Sequence, residues 1–189
     1  KLISFSLWGS ADRYCNGAIK NAKIASTIYK GWQCRFYYRD VPQSVLGELN
    51  TYGAELVPCD GDDGMFWRFR PASDTSIERF ISRDTDSILN WREKAAVDDW
   101  TKSGRSFHIM RDNYYHGMPL MGGMWGCVGG AVHTVIDFDL LLGVEFTTQR
   151  QHVVNVGLHV VRHRHVDDFG FSNAVVFVVK QRANKGDGG

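Results

Sequence analysis

What this 189-residue sequence lacks removes several classes of function. Its formal net charge is only +1, with 22 Lys and Arg against 21 Asp and Glu, so no global field recruits nucleic acid or an anionic membrane surface. That balance still leaves room for a local basic patch that meets a diphosphate. The four cysteines, Cys15, Cys34, Cys59 and Cys127, include no Cys-x-x-Cys pair, which argues against a zinc knuckle. Their wide spacing predicts reduced, buried thiols and a cytosolic setting. No apolar run approaches the roughly 18 residues of a membrane span, and no stretch has the pattern of a signal peptide. No Gly-x-Gly-x-x-Gly follows the first apolar run and no Walker loop is present, which disfavours NAD binding and P-loop ATP hydrolysis.

What is present is an ordinary globular composition, 43% hydrophobic and 23% charged. The length suits one domain with a sizeable core, expected over residues 1–182, followed by a poorly ordered Gly/Asp/Lys tail over 183–189. Aromatics are abundant at 13%, and six are Trp. Such an excess fits a sugar or nucleobase site, although Trp also packs in cores.

The chain is expected to alternate strands and helices. Leu2–Trp8 predicts a buried first strand, and Asp12–Tyr29 carries Ala18, Ile19, Ala22, Ala25 and Ile28 at helical spacing. Cys34–Tyr38 and Glu55–Pro58 are further strands around a short helix that opens near Pro42. Met65–Phe69 reads as a helical turn interrupted by Pro71, and the apolar run up to Arg83 as a fourth strand. Arg92–Thr101 is amphipathic, Phe107–Arg111 is strand-like, and Gly122–Gly126 is a glycine-dense bend. Past it, Val132–Leu142 is expected as a helix, with β-like runs at Val153–Val161 and Ala174–Val179. Strand–helix–strand repetition predicts an α/β domain with a central, mostly parallel sheet flanked by helices.

The most informative feature is Asp84-Thr85-Asp86-Ser87 at the end of the fourth strand. Open α/β sheets bind ligands at the carboxyl edge of their strands. Two carboxylates there can hold a divalent cation, Mn²⁺ or Mg²⁺, that keeps positions open for phosphate oxygens. Such an arrangement suits loss of a phosphorylated leaving group. A strand-end turn with Ser87 as a helix N-cap would explain the same residues without function.

Six segments in order resemble GT-A glycosyltransferases, the nucleotide-diphospho-sugar transferase fold. They are Ile3–Gly9, Gly64–Phe69, Ser82–Ser87, Arg92–Val97, His108–Asp112 and Gly122–Gly126. The resemblance is to a small-sugar transferase family of bacteria and large algal viruses, and within it to the N-terminal domain of a multidomain chlorella-virus enzyme. It implies a DxD motif in which Asp84 meets ribose or sugar hydroxyls and Asp86 holds metal. It implies a UDP-sugar donor, a hexose or 6-deoxyhexose, and an oligosaccharide or glycan acceptor. A viral relative would work in the host cytoplasm.

The resemblance also turns the end of the first strand, Phe5, Ser6, Leu7 and Trp8, toward the nucleotide base. Burial explains Phe5 and Leu7 better than base contact does, and leaves Trp8 open. Arg68 has a guanidinium fork that suits a phosphate or sugar hydroxyl together with an Asp of the tetrad. Arg83 is a second candidate beside the Asp pair, although alternation points it to the opposite strand face. Gly123, with Gly122, allows a sugar ring to approach the backbone, and Trp125 could stack on that ring. Arg92 is a donor candidate, whereas the helix dipole alone accounts for Glu93. His108, Arg111, Asp112 and His116 could shape an acceptor pocket.

Asp168 is the candidate general base of an inverting transfer, with Asp167 competing. The family's Gly-Asp-Asp-Gln-x-Phe pattern is broken here, because Phe169 replaces the Gln. One of His159, His163 and His165 could complete a metal shell. Two other readings remain. One is a phosphatase of the haloacid-dehalogenase type, which normally carries its Asp-x-Asp on an early strand. The other is a non-catalytic carbohydrate-binding domain.

Overall fold

Alternation along Leu2–Trp8 decides which parts of the chain meet. In the computed structural model, which describes residues 1–62, 64–110 and 121–132 and the backbone of 158–162 and 175–179, this segment is strand β1 and its first six residues are buried. Ile3, Phe5 and Leu7 pack into a core with Ala18, Ala22 and Ala25 of helix α1 (Asp12–Ile28). Leu2 joins a second core on the opposite face, while Ser4 and Ser6 turn to that face and bond the chain covering it.

The remaining elements are β2 (Gln33–Arg39), α2 (Gln43–Thr51), β3 (Glu55–Pro58), a run of 3-10 turns over Gly64–Ser73, β4 (Arg79–Ser82), α3 (Trp91–Ser103), β5 (Phe107–Ile109), β6 (Trp125–Val128), β7 (Leu158–Arg162) and β8 (Val175–Val179). The expected α/β architecture is the one observed. Among the described residues the strands form one eight-stranded sheet in the order β3-β2-β1-β4-β6-β5-β8-β7. β1 to β4 pair in parallel, and the later pairings are antiparallel. Following the pairings, only β6 and β8 run against the other six strands.

Leu46 and Leu49 of α2 and Val97 and Trp100 of α3 share the α1 core, so the three helices contribute to one face of the sheet. Phe69 and Ala72 of the 3-10 run cover the other, with Phe80, Phe107, Ile109, Trp125 and Cys127. The chain winds outward from β1 to β2 to β3, then returns to the far side of β1 as β4. That reversal makes the gap beyond β1 and β4 a topological switch point, where the loops leaving two neighbouring strands part.

Three local expectations change. The 3-10 turns continue through Pro71 to Ser73 instead of stopping at the proline. The bend expected at Gly122–Gly126 ends earlier, because Trp125 and Gly126 already belong to β6. Gly126 serves close strand contact there, since a Cβ at this position would overlap the Phe80 carbonyl oxygen of β4. Ser87 is not the cap of the following helix. Asn90 is, accepting the Glu93 N–H at 3.0 Å. The helix expected over Val132–Leu142 and the tail over 183–189 lie outside the described residues, apart from Val132 itself. All four cysteines are buried free thiols, and burial pushes Cys34 up to about 12.

Candidate functional site

In the parallel pairing of β1 and β4, Ser82 stands opposite Ser4. The Arg83 N–H continues the ladder onto the Ser4 carbonyl at 3.0 Å. Asp84 therefore comes level with Ser6, just past the switch point. The two serines hold Arg68 from both sides of its peptide: Ser4 Oγ donates to the Arg68 carbonyl at 2.7 Å, and Ser6 Oγ accepts the Arg68 N–H at 3.0 Å. Clamped in this way, Arg68 directs Nη1 to Asp84 Oδ1 in a charge-assisted hydrogen bond. The Arg68 side chain is 8% exposed and that of Asp84 is 42% exposed, so the guanidinium backs a carboxylate that meets solvent. Arg68 Nε is buried with no hydrogen-bond partner among the described residues.

The other oxygen of Asp84 lies against Gly123, where a Cβ would overlap Oδ2. Ser82 Oγ donates to the Gly122 carbonyl at 2.7 Å and ties this glycine turn to the end of β4. Strand β4, the 3-10 run and the turn before β6 thus meet at one carboxylate. Trp8, at the end of β1, is 46% exposed and rests its ring edge-on against Trp67, with centroids 6.5 Å apart.

Asp86 pairs with Arg13 of α1, Oδ2 to Nη2 at 2.7 Å. The Arg13 side chain is 74% exposed, so this pair is hydrated and contributes little. Between the two aspartates, Thr85 is buried over α1. Asn21 Nδ2 donates to the Thr85 and Ser87 carbonyls at 3.1 and 3.0 Å, and Asn21 Oδ1 accepts the Leu89 N–H at 2.9 Å. Asn21, Ser4 and Arg13 were not among the residues expected from the sequence, and Ser6 was expected toward the nucleotide base rather than on Arg68. Asn21 did leave one sign there, as a polar residue inside the stripe formed by Ala18, Ala22 and Ala25.

Other expected residues are placed elsewhere. Arg83 points away from Asp84, as alternation requires. Its guanidinium bonds Glu93 Oε1 and the Ser82 and Trp125 carbonyls, the last two at 2.6 and 3.2 Å. Its side chain is only 3% exposed, so Arg83 does not join the Asp84 cluster. Phe5, stacked on Phe36 with centroids 4.7 Å apart, and Leu7 lie in the helix-side core, with no face for a base. Trp125 is fully buried between Phe69 and Phe80 and presents no face to a sugar. His108 is fully buried and stacked on Trp100. Burial first and the nearby Arg83 second hold its pKa well below 6.5. Arg92 is exposed on the first turn of α3. Arg111, Asp112, His116, His163, His165, Asp167 and Asp168 lie outside the described residues, and His159 is described only as backbone in β7.

Among the described residues no three His, Cys, Asp or Glu side chains converge on one point. The oxygens of Asp84 and Asp86 are the hard donors that this edge offers a divalent cation. No helix among the described residues is long and apolar enough to cross a membrane.

No protein-family model and no curated protein matches the chain. Among solved structures, the apo form of the glycosyltransferase GlyE from Streptococcus pneumoniae TIGR4 is similar at a TM-score of 0.48 and 13% identity. The similarity covers 78% of this chain and 40% of that one, so the chain spans well under half of that neighbour's length.

Proposed function

We propose that this chain is a metal-dependent glycosyltransferase that moves a hexose or 6-deoxyhexose from a UDP-sugar to a glycan hydroxyl with inversion. The observation that carries the reading is the Arg68–Asp84 pair at the β1–β4 switch point. A buried guanidinium there orients a solvent-facing carboxylate against the backbone of Gly123. The order of the six sequence segments that resemble GT-A enzymes supports the same reading.

Each residue has a task in it. Asp84, held by Arg68, accepts hydrogen bonds from ribose or sugar hydroxyls. Arg68 adds its positive charge beside the diphosphate. The exposed ring of Trp8 offers a face on which uracil can stack. Asp86 is the metal-holding carboxylate, because Arg13, its ion-pair partner among the described residues, is exposed and easily displaced. Mn²⁺ or Mg²⁺ suits this donor set, since Asp86, with or without Asp84, would hold it while leaving positions for diphosphate oxygens. When bound, the cation would neutralise the charge that develops on the departing nucleotide. In the transfer, the acceptor oxygen bonds the anomeric carbon as the anomeric carbon–phosphate oxygen bond breaks, and Asp168 takes the acceptor proton.

Titration calorimetry with UDP tests this reading. Mn²⁺ should tighten UDP binding about tenfold or more relative to EDTA, the scale of one lost charge-assisted contact. Asp86→Ala should abolish that difference. Equal UDP affinity in Mn²⁺ and EDTA, unchanged in the variant, would sink the metal bridge.

A further inference from the structure

The loop that carries both aspartates does not hold its own shape. Within it, the Ser87 N–H reaches the Asp84 carbonyl at 3.3 Å, a long turn bond. Arg68 holds the Asp84 side chain, and the other restraints on the loop backbone among the described residues come from α1. The Asn21 amide spends both N–H groups on carbonyls in this loop, Thr85 at 3.1 Å and Ser87 at 3.0 Å, and accepts the Leu89 N–H at 2.9 Å. Asn21 is fully buried, so no water competes for these bonds. One turn earlier on the same helix face, Gly17 lets the Thr85 carbonyl sit almost on the helix backbone, and a Cβ there would overlap that oxygen. Thr85 separates the two aspartates, so fixing its carbonyl fixes the Thr85–Asp86 peptide plane and with it where the Asp86 Cα lies relative to Asp84.

We infer that Asn21 is the positioning residue of the Asp84–Asp86 loop and, with Gly17, sets the spacing at which the two carboxylates act together. The consequence for ligand binding rests on the proposed donor site, while the anchoring itself does not. The chemistry is specific to an amide. Aspartate at position 21 would turn acceptors toward two carbonyl oxygens, and leucine would leave those oxygens and the Leu89 N–H buried without partners. The carboxylates would then sample several separations, and a cation that needs both at once would bind more weakly.

The test compares wild type, Asn21→Ala and Gly17→Ala, with UDP and Mn²⁺ as probes and residue-resolved native-state hydrogen exchange as a second readout. In Asn21→Ala the Leu89 amide should exchange at least about tenfold faster, because its acceptor is gone. In both variants the Mn²⁺-dependent gain in UDP affinity should fall toward one, while affinity in EDTA stays within about twofold, since only cooperation between the carboxylates is lost. A folded Asn21→Ala or Gly17→Ala with the wild-type Mn²⁺ gain overturns the inference, as does unchanged Leu89 exchange in Asn21→Ala. If only one variant folds, that one decides. If neither folds, the contacts belong to the core and the inference also fails. Absence of Mn²⁺-dependent UDP binding in wild type would defeat the proposed function alone. The Leu89 exchange rate would then decide the anchoring.

Discussion

Arg83 and Glu93 form an ion pair behind the candidate site, with side chains only 3% and 10% exposed. Tyr29 Oη donates to the same Glu93 oxygen at 3.2 Å. The pair joins the end of β4 to the first turn of α3, directly beneath the strand end that carries Asp84. Removing one partner leaves the other charged and buried. Arg83→Met should therefore lower stability by about 3 kcal/mol or more, and Arg83→Met combined with Glu93→Leu by distinctly less. Chemical denaturation of the two single variants and the double variant checks this. A loss in the double variant equal to the sum of the two single losses would show that the pair is not coupled.

His108 gives the fold an acid-side weakness. Its ring is buried against Trp100, and neither nitrogen has a hydrogen-bond partner among the described residues. Burial and Arg83 hold its folded pKa well below 6.5. Above pH 6.5 the imidazole is neutral in both the folded and the unfolded chain, so it has no effect. As pH falls from 6.5 toward the folded pKa, the unfolded chain takes up a proton that the folded chain refuses. Stability should drop by about 1.4 kcal/mol per pH unit from this group. His108→Phe should flatten the stability profile between pH 6.5 and 5. A variant with the wild-type slope there would show that His108 is not its source.

Gly123→Ala tests the geometry around Asp84 at one atom. The new methyl must displace Oδ2, and Arg68 Nη1 loses alignment with Oδ1. The carboxylate is 42% exposed and can swing toward water, so the fold should survive with a small loss of stability. UDP affinity in Mn²⁺ should weaken by about tenfold, as expected when a charge-assisted contact is misaligned. Calorimetry beside a thermal melt separates the two effects. Wild-type affinity would mean that the position of Asp84 does not matter to UDP.

Some of the site was legible because its signals are local. Asp84 and Asp86 stood out as acidic residues after an apolar strand, and Arg68 as a cation inside an aromatic run. Alternation also pointed Arg83 away from the Asp pair. Asn21 was not legible, since its partner Thr85 lies 64 positions away and nothing in α1 announces which loop will cross it. The hold of Ser4 and Ser6 on Arg68 was hidden in the same way, because the segment that covers their strand could not be named in advance.

Sequence by itself determined the periodicities: strand and helix lengths, the faces they bury, and acidic residues where a strand runs out. These follow from backbone geometry and the burial of apolar surface, which act over a few residues. Only the tertiary structure decided between chemically identical residues. Trp8 and Trp125 were both open to a ligand role, yet one is 46% exposed at the carboxyl edge and the other is fully buried between Phe69 and Phe80. The return of the chain past β1 places the 3-10 run over the second face of the sheet and sets β6 beside β4. That long-range packing encloses Trp125, brings Arg68 to Asp84, and leaves the Trp8 ring in water.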